Sequence, residues 1–153
     1  MEKLIIKGGR PLKGELFPSG NKNAALPMLA ACLLTSDPVT LHNVPDILDV
    51  RTMIRLLESL NVKIEKVNKT TLHIDASDIR PADLDPDLCR NIRASILLAG
   101  PLLSRVGELF LPPPGGDVIG RRRVDTHILA FSSLGVITNY SNHQFHFLTE
   151  GLL

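Results

Sequence analysis

Apolar residues follow the same succession of spacings twice along the chain. In the first copy, a small apolar stretch at 24–34 predicts a buried helix, and the run at 39–44 predicts a short strand. Apolar residues then recur at i, i+3, i+4 and i+7 over 50–57, which predicts a helix with one buried face. Alternating residues at 62–64 and 72–74 predict a hairpin.

The second copy repeats this order further along the chain. A buried helix is predicted at 93–103, a strand at 108–111 and a less regular helix over 124–131. In the hairpin that follows, residues from 136 onward pair with 145–147. Because each copy has an apolar face that only a neighbour can cover, the repeat predicts an α/β fold of two packed units.

The two copies differ in the length of one connection. The buried helices are offset by 69 residues, from 24 to 93, whereas the helix ends at Asn61 and Gly135 are offset by 74. Asn and Gly are the residues expected where a left-handed conformation ends a helix. The second copy therefore carries five extra residues (74 minus 69) within 112–123. Function concentrates in added loops, but surface loops also lengthen at little cost, and length alone does not separate these two explanations.

Composition limits the classes of protein to which the chain can belong. Its 153 residues, 44% of them hydrophobic, suffice for a globular domain, and the formal net charge of +1 provides no field for nucleic acid or an anionic membrane. The apolar stretch 24–34 is shorter than the ~20 residues that span a bilayer. Neither Cys32 and Cys89 nor the five histidines show a metal spacing. We expect a cytoplasmic protein with reduced thiols and no metal.

Glycines and arginines mark the longer connection. Glycine permits backbone states closed to other residues, and guanidinium groups bind phosphate and carboxylate through paired hydrogen bonds. The arginines at 121–123 are either an anion site or a solvated face, and the triplet alone favours the solvated face. Asp117 in the same loop is a turn residue, an ion-pair partner or a general acid, and the sequence alone favours the turn.

Cations also stand where two of the predicted helices begin. Lys22 and Asn23 lead into the first buried helix, whose free amides and partial positive charge suit a small anion. Arg90 and Arg93 stand at the corresponding corner of the second copy, where cations oppose the helix dipole. Each corner alone is more typical of an ordinary capped turn, but their coincidence favours an anion site.

Several motifs follow one another in a specific order. They are Ser19-Gly20-Asn21-Lys22-Asn23-Ala24-Ala25-Leu26-Pro27, Asn43-Val44-Pro45, Arg93-Ala94-Ser95-Ile96, Pro114-Gly115-Gly116, Ile119-Gly120-Arg121-Arg122 and Val124-Asp125. In this order they resemble the motifs of the UDP-N-acetylglucosamine 1-carboxyvinyltransferase family, whose members are much longer than this chain. Together they are highly specific, and the resemblance spans nearly the whole sequence.

The resemblance implies a fold and a domain organisation. Members are enolpyruvyl transferases with an inside-out α/β barrel architecture, built from repeated βαβαββ units in two domains with the active site between them. Two such units are expected here, at 19–86 and at 87–153, the second with the catalytic loop 112–123. Residues 1–18 are expected to form a strand region that associates with the second domain, the partner that lies C-terminal in the full-length protein.

The resemblance also implies a reaction and its residues. The enolpyruvyl group of phosphoenolpyruvate would pass to the 3′-hydroxyl of UDP-N-acetylglucosamine, with release of phosphate, at the start of peptidoglycan synthesis and without a cofactor. Asp117 would be the general acid. The implied contacts to phosphoenolpyruvate are Lys22, Asn23 and Arg122, and those to the nucleotide sugar are Asn23, Arg93, Arg122, Arg123, Val124, Asp125 and Thr126.

The chain departs from the family pattern at three positions, two of which are among these residues. Most members have cysteine where Asp117 stands, many have proline at Arg123, and an aromatic residue is common at Leu97. Aspartate serves as the acid only if it holds a proton, so we expect its pKa to rise once anionic substrate neutralises the arginines. Without a thiol at 117, the epoxide antibiotic fosfomycin is expected to have no effect.

Two other functions remain open from the sequence. A shikimate-pathway enolpyruvyl transferase would share fold and chemistry but should lack the Pro-Gly-Gly-Asp loop beside Arg-Val-Asp. A non-catalytic UDP-sugar or anion-binding fragment would bind nucleotide without turnover. Since only one wall of the expected cleft lies in residues 1–153, we expect little activity from this chain alone.

Overall fold

A computed structural model describes residues 3–80, 84–116 and 123–149, so the predicted site residues Asp117 and Arg122 lie outside the described part. Two copies of the succession α, β, α, β, β make up the fold. The first consists of α1 (Lys22–Ala31), a 3₁₀ turn (Cys32–Leu34), β1 (Val39–Leu41), α2 (Leu48–Ser59), β2 (Lys63–Lys66) and β3 (Leu72–Asp75). The second consists of α3 (Pro86–Asn91), a 3₁₀ helix (Arg93–Leu98), α4 (Ala99–Val106), β4 (Glu108–Leu111), α5 (Asp125–Ser133), β5 (Ile137–Ser141) and β6 (Gln144–Leu148).

Each copy folds its three strands into an antiparallel sheet of the same topology. The strand orders are β1-β3-β2 and β4-β6-β5, so the last strand of each copy, β3 or β6, is the central strand of its sheet. Val39 lies opposite Ile74 in the first sheet, and Leu109 lies opposite Phe147 in the second. The side chains of Ile74 and Phe147 are fully buried, because these central strands turn one face towards the helices.

The local signals for helix ends and hairpins are confirmed. Asn61 and Gly135 follow the last turns of α2 and α5 with φ angles of 66° and 89°. Asn142 and His143 connect β5 to β6 with φ angles of 51° and 59°, the two left-handed residues that a tight hairpin turn requires. These positions are set by short-range conformational preferences, which is why the sequence predicted them.

The second buried helix differs from its prediction at 93–103. A 3₁₀ helix occupies 93–98, and the α-helix begins only at Ala99, because the ring of Pro101 clashes with a helical carbonyl at Leu97. The separate helix α3 precedes it, with Asp85 accepting hydrogen bonds from the amides of Asp87 and Leu88. The predicted strand at 39–44 is also shorter, since β1 ends at Leu41.

One hydrophobic core joins the two copies. The largest of the fully buried side chains come from both halves: Leu29, Leu33, Met53, Leu56, Leu57, Leu60, Ile74, Leu84, Leu98, Leu103, Leu111 and Phe147. Arg105 on α4 reinforces this joint by donating hydrogen bonds to the carbonyl oxygens of Leu33, Thr35 and Ala76, at 2.9, 3.0 and 3.4 Å. The copies therefore pack as the repeat predicted.

Residues 3–18 contain no helix or strand and expose large apolar side chains, such as Leu12 and Phe17 at 97% and 87%. The strand expected there is thus not formed between the described residues of this chain, and its association with a further domain stays a prediction. Among the described helices, none is long and apolar enough to cross a membrane.

Candidate functional site

A pocket of about 460 Å³ lies where the first residues of several helices meet. Contributions come from the start of α1, the start of α2, the 3₁₀ helix of the second copy, the loop after β4 and α5. The described residues that line it are Lys22, Asn23, Leu26, Pro27, Asp49, Asn91, Ile92, Arg93, Ala94, Ile96, Leu97, Gly116 and His127. Two of the three predicted cationic contacts that the structure describes, Lys22 and Arg93, therefore share one cavity.

The start of α1 is fixed by its cap and by the apolar face behind it. The side chain of Asn21 accepts a hydrogen bond of 2.7 Å from the amide of Asn23, the usual arrangement at a helix N-terminus. One turn further, Leu26 and Leu29 are buried, which anchors the helix to the core. Lys22 is the first helical residue, and its Nζ atom lies 2.9 Å from Oδ2 of Asp49.

The corner before α1 packs backbone to backbone against the residues that follow β1. A Cβ atom on Gly20 would stand 1.7 Å from the carbonyl oxygen of Asn43 and 2.9 Å from the ring of Pro45, so only glycine fits. Asn43 itself has a φ angle of 56°. The two motifs Ser-Gly-Asn-Lys-Asn and Asn-Val-Pro are thus the two halves of one joint.

The loop after β4 docks on the end of α3 in an equivalent joint. The amides of Gly115 and Gly116 donate to the carbonyl oxygens of Cys89 and Arg90, at 3.0 and 2.8 Å. The guanidinium of Arg93 donates to the carbonyl oxygen of Pro114 at 3.3 Å. This places Gly116, and with it the entry to the loop, at the wall of the pocket.

The prediction that cations crowd a helix start at 88–93 is wrong for Arg90. Arg90 lies in the last turn of α3, where the helix dipole stabilises a cation, and its guanidinium pairs with the carboxylate of Asp87 at 2.5 Å. Arg93 does begin the next helical segment. The difference arises because Asp85-Pro86, a cap followed by a first-turn proline, starts a helix that the prediction did not include.

Residues around the start of α5 are only partly brought to the pocket. Arg123 is exposed, and its Nε lies 2.6 Å from Oδ2 of Asp125. Asp125 and Thr126 line a second cavity, which is formed by residues of α5 alone, whereas Val124 is half-buried against the core. The α5 residue that lines the main pocket is His127, one position beyond the predicted set.

Sequence reasoning missed Asp49 and His127 as pocket residues. Asp49 carried one signal, since it is an acid in the first turn of a strongly predicted helix. His127 carried none, because an isolated histidine on an irregular apolar pattern is typical of many surfaces. Asp49 meets Lys22 within the first copy, and the packing of the second copy on the first places both in one pocket with Arg93 and His127.

The chemistry of the described pocket residues is that of anion binding. Lys22 and Arg93 supply positive charge, and the amides of Asn23 and Asn91 supply hydrogen-bond donors. The nearby thiol of Cys89 is not a nucleophile, because burial raises its pKa to about 12. No group of three or more His, Cys, Asp or Glu side chains with the arrangement of a metal site occurs in the described ranges.

Comparison with known families gives one match over most of the chain. A family model described as EPSP synthase (3-phosphoshikimate 1-carboxyvinyltransferase) matches residues 6–148. Two similar curated proteins are named UDP-N-acetylglucosamine 1-carboxyvinyltransferase. That of Bradyrhizobium diazoefficiens is 62% identical over 86% of this chain and 30% of its own length. That of Treponema denticola is 46% identical over 100% of this chain and 36% of its own length.

The chain therefore spans about a third of the length of these relatives. Their names confirm the resemblance that the ordered motifs carry.

Two solved structures have a similar fold. The enolpyruvyl transferase NikO from Streptomyces tendae superposes with a TM-score of 0.76 and 26% identity, over 95% of this chain and 32% of that one. EPSP synthase from Acinetobacter baumannii superposes with a TM-score of 0.54 and 14% identity, over 84% and 31%, which shows the fold alone. The predicted α/β class with repeated units is confirmed by these superpositions.

Proposed function

Because the chain belongs to the EPSP synthase family of 1-carboxyvinyltransferases, we propose that it is the part of an enolpyruvyl transferase that holds phosphoenolpyruvate against UDP-N-acetylglucosamine. The observation that carries the proposal is the single pocket into which Lys22, Asn23, Arg93 and Gly116 converge from the two copies. Names of relatives at 62% and 46% identity support the nucleotide sugar as the acceptor.

The proposed roles follow the chemistry of each side chain. Lys22 and Asn23 at the start of α1 bind the phosphate or carboxylate of phosphoenolpyruvate, together with Arg122. Arg93 binds the nucleotide sugar, and its hydrogen bond to Pro114 couples that contact to the loop. The stretch 122–126 completes the sugar site through Arg122, Arg123, Val124, Asp125 and Thr126.

The proposed reaction is an addition followed by an elimination. Asp117 gives a proton to the methylene carbon of phosphoenolpyruvate, while the oxygen of the sugar 3′-hydroxyl bonds to the adjacent carbon and its proton passes to a base of the completed cleft. A proton of the new methyl group then returns to the acid, and cleavage of the carbon–oxygen bond to phosphate restores the double bond. The products are the enolpyruvyl ether and inorganic phosphate, and no cofactor takes part.

The rest of the full-length protein would supply the opposite wall of the cleft. The relatives are about three times as long as the part that this chain matches. We propose accordingly that residues 1–153 bind substrate weakly and turn over little by themselves. Peptidoglycan synthesis in the cytoplasm is the proposed setting, which follows from the acceptor.

The family description favours a second acceptor, 3-phosphoshikimate. Turnover experiments with the full-length protein separate the two. Phosphate release should require phosphoenolpyruvate and UDP-N-acetylglucosamine together. Release with 3-phosphoshikimate instead would assign the second function, and nucleotide binding without any release would assign a non-catalytic role.

Two substitutions test whether this pocket is the site. Lys22→Ala and Arg93→Ala should each lower kcat/KM about a hundredfold, the usual effect of removing one preorganised charge. Arg51→Ala is the matched control, because Arg51 forms an exposed ion pair with Asp46 and does not line the pocket. Equal activity of all three variants would contradict the assignment of the site.

A further inference from the structure

Asp49 is an acid in a pocket suited to anions. Among the described residues that line the pocket, it is the one with a carboxylate. Its Oδ2 atom lies 2.9 Å from Nζ of Lys22, and the pair connects the first turn of α2 to the first residue of α1. Lys22 is proposed to bind phosphoenolpyruvate, and a carboxylate beside it repels any anion that enters the pocket. The presence of Asp49 at this position therefore requires an explanation.

Folding stability does not supply that reason. The side chains of Lys22 and Asp49 are 47% and 35% exposed, and an ion pair with that much access to water contributes little to stability. The helices α1 and α2 are already held together by buried Leu26, Leu29 and Met53. The effect of the pair must therefore be local.

Positioning of the ammonium group is the local effect that the geometry allows. A lysine side chain has a flexible four-carbon stem and many rotamers. At the first residue of α1 the ammonium would also be driven outwards by the positive end of the helix dipole. Asp49 lies at the start of the neighbouring helix, where its own charge is favoured, and it draws the ammonium back to the pocket wall.

We propose that Asp49 is a positioning residue that holds the ammonium of Lys22 at the wall of the pocket. This inference rests on the proposed function, because it assumes that Lys22 meets phosphoenolpyruvate. Two consequences have opposite signs. The charge of Asp49 weakens the binding of the anionic substrate, whereas the fixed ammonium speeds the step in which charge moves onto the departing phosphate.

Asp49→Asn in the full-length protein separates these consequences. The amide keeps the shape of the side chain and removes its charge. We expect KM for phosphoenolpyruvate to fall about threefold and kcat to fall about tenfold, the pattern of a ground-state repulsion removed together with transition-state stabilisation. Asp49→Glu, which restores the charge on a longer stem, should recover part of kcat. An unchanged kcat, or a KM that rises, would overturn the proposal.

Asp46→Asn is the matched control. Asp46 stands three residues before Asp49, pairs with Arg51 at 2.6 Å and does not line the pocket. Asp46→Asn removes the same charge near the same end of α2 but leaves the pair between Lys22 and Asp49 in place. We therefore expect kcat and KM to stay at the wild-type values. A split like that of Asp49→Asn would mean that net charge, and not the pairing with Lys22, controls the pocket.

A second measurement tests the positioning without any turnover. Nitrogen relaxation of the Lys22 ammonium in the full-length protein reports how strongly the group is ordered. The order parameter should fall in Asp49→Asn and stay unchanged in Asp46→Asn. If the wild-type protein releases no phosphate, the proposed function fails while this result still decides the role of Asp49. Equal order in wild type and Asp49→Asn would refute that role.

Discussion

Gly115 lies against Arg90 so closely that a Cβ atom on Gly115 would stand 1.8 Å from the carbonyl oxygen of Arg90. Gly20 has the same relation to Asn43 in the first copy, at 1.7 Å. In each copy, the residues before the buried helix thus pack against the residues after the first strand. In the first copy the glycine is Gly20, which precedes the helix. In the second copy it is Gly115, which follows the strand. In the second copy this joint holds the base of the loop that leads to Asp117.

Gly115→Ala should therefore destabilise the protein. The added methyl group meets backbone atoms of Arg90, which cannot move aside as a side chain would. We expect a loss of about 1–3 kcal/mol in the free energy of unfolding, the typical cost of overpacking. Urea denaturation at pH 7 measures it.

Gly100→Ala is the control for this substitution. A Cβ atom on Gly100 meets nothing within 4 Å, and Gly100 lies within α4. The same change should here stabilise the protein by about 0.5–1 kcal/mol, because alanine favours the helix and restricts the unfolded chain. If both alanine variants change the free energy of unfolding by the same amount, the close approach of Gly115 to Arg90 does not affect stability.

Arg105→Ala should weaken the joint between the two copies. The guanidinium donates to the carbonyl oxygens of Leu33 and Thr35, in and just after the 3₁₀ turn that follows α1, and of Ala76 after β3. Hydrogen bonds from a charged donor are worth more than neutral ones, so we expect a loss of about 2 kcal/mol in the free energy of unfolding. The midpoint of thermal unfolding should fall correspondingly.

Arg80→Ala controls for the loss of one positive charge. Its side chain is 71% exposed, and it pairs with Asp78 on the surface. Its removal should change the free energy of unfolding by less than about 0.5 kcal/mol. A comparable loss in the two variants would show that net charge, and not the contacts of Arg105, determines the effect.

The parts of the fold that the sequence predicted are those that depend on neighbours along the chain. The turns at Asn61, Gly135 and Asn142 follow from residues that tolerate positive φ. The buried faces of α2 and the central strands follow from periodicity. The break before Ala99 was not predicted, although Pro101 is a local signal, because the apolar run has the same offset as the first buried helix and so predicts one continuous helix.

The candidate site depends on contacts between the copies, which no local pattern contains. Lys22 and Arg93 were predicted as two separate anion corners, and only packing places them in one cavity. Asp49 and His127 join them from helices distant in sequence. For Asp117 and Arg122 the roles stay predictions, because both lie outside the described residues.

The buried thiol of Cys89 should make the protein less stable at high pH. Burial raises its pKa from an ordinary 9.0 to about 12. Between these values the unfolded chain loses the proton while the folded chain keeps it, so stability is fully present below pH 9 and falls as the pH rises towards 12. Burial also raises the pKa of Cys32, which adds to the fall.

Urea denaturation from pH 7 to pH 10.5 measures this dependence. Cys89→Ala should lower the free energy of unfolding at pH 7 by the cost of a small cavity and flatten its decline above pH 9. Native protein should react slowly with iodoacetamide at pH 8, whereas unfolded protein reacts at both cysteines. A decline of the same slope in wild type and Cys89→Ala would contradict the assignment.

The last prediction concerns the residue at position 117. If Asp117 is the general acid, then Asp117→Cys in the full-length protein should retain turnover, because a thiol donates a proton to the same carbon. It should also become sensitive to fosfomycin, whereas the wild-type protein is insensitive. Mass spectrometry should place the label on residue 117, since Cys32 and Cys89 are buried with raised pKa values.

Asp117→Asn keeps the size of the side chain but cannot donate a proton from oxygen, so kcat should fall by about a hundredfold or more. Full activity of Asp117→Asn would exclude Asp117 as the acid, and labelling of the wild-type carboxylate would refute the expected insensitivity.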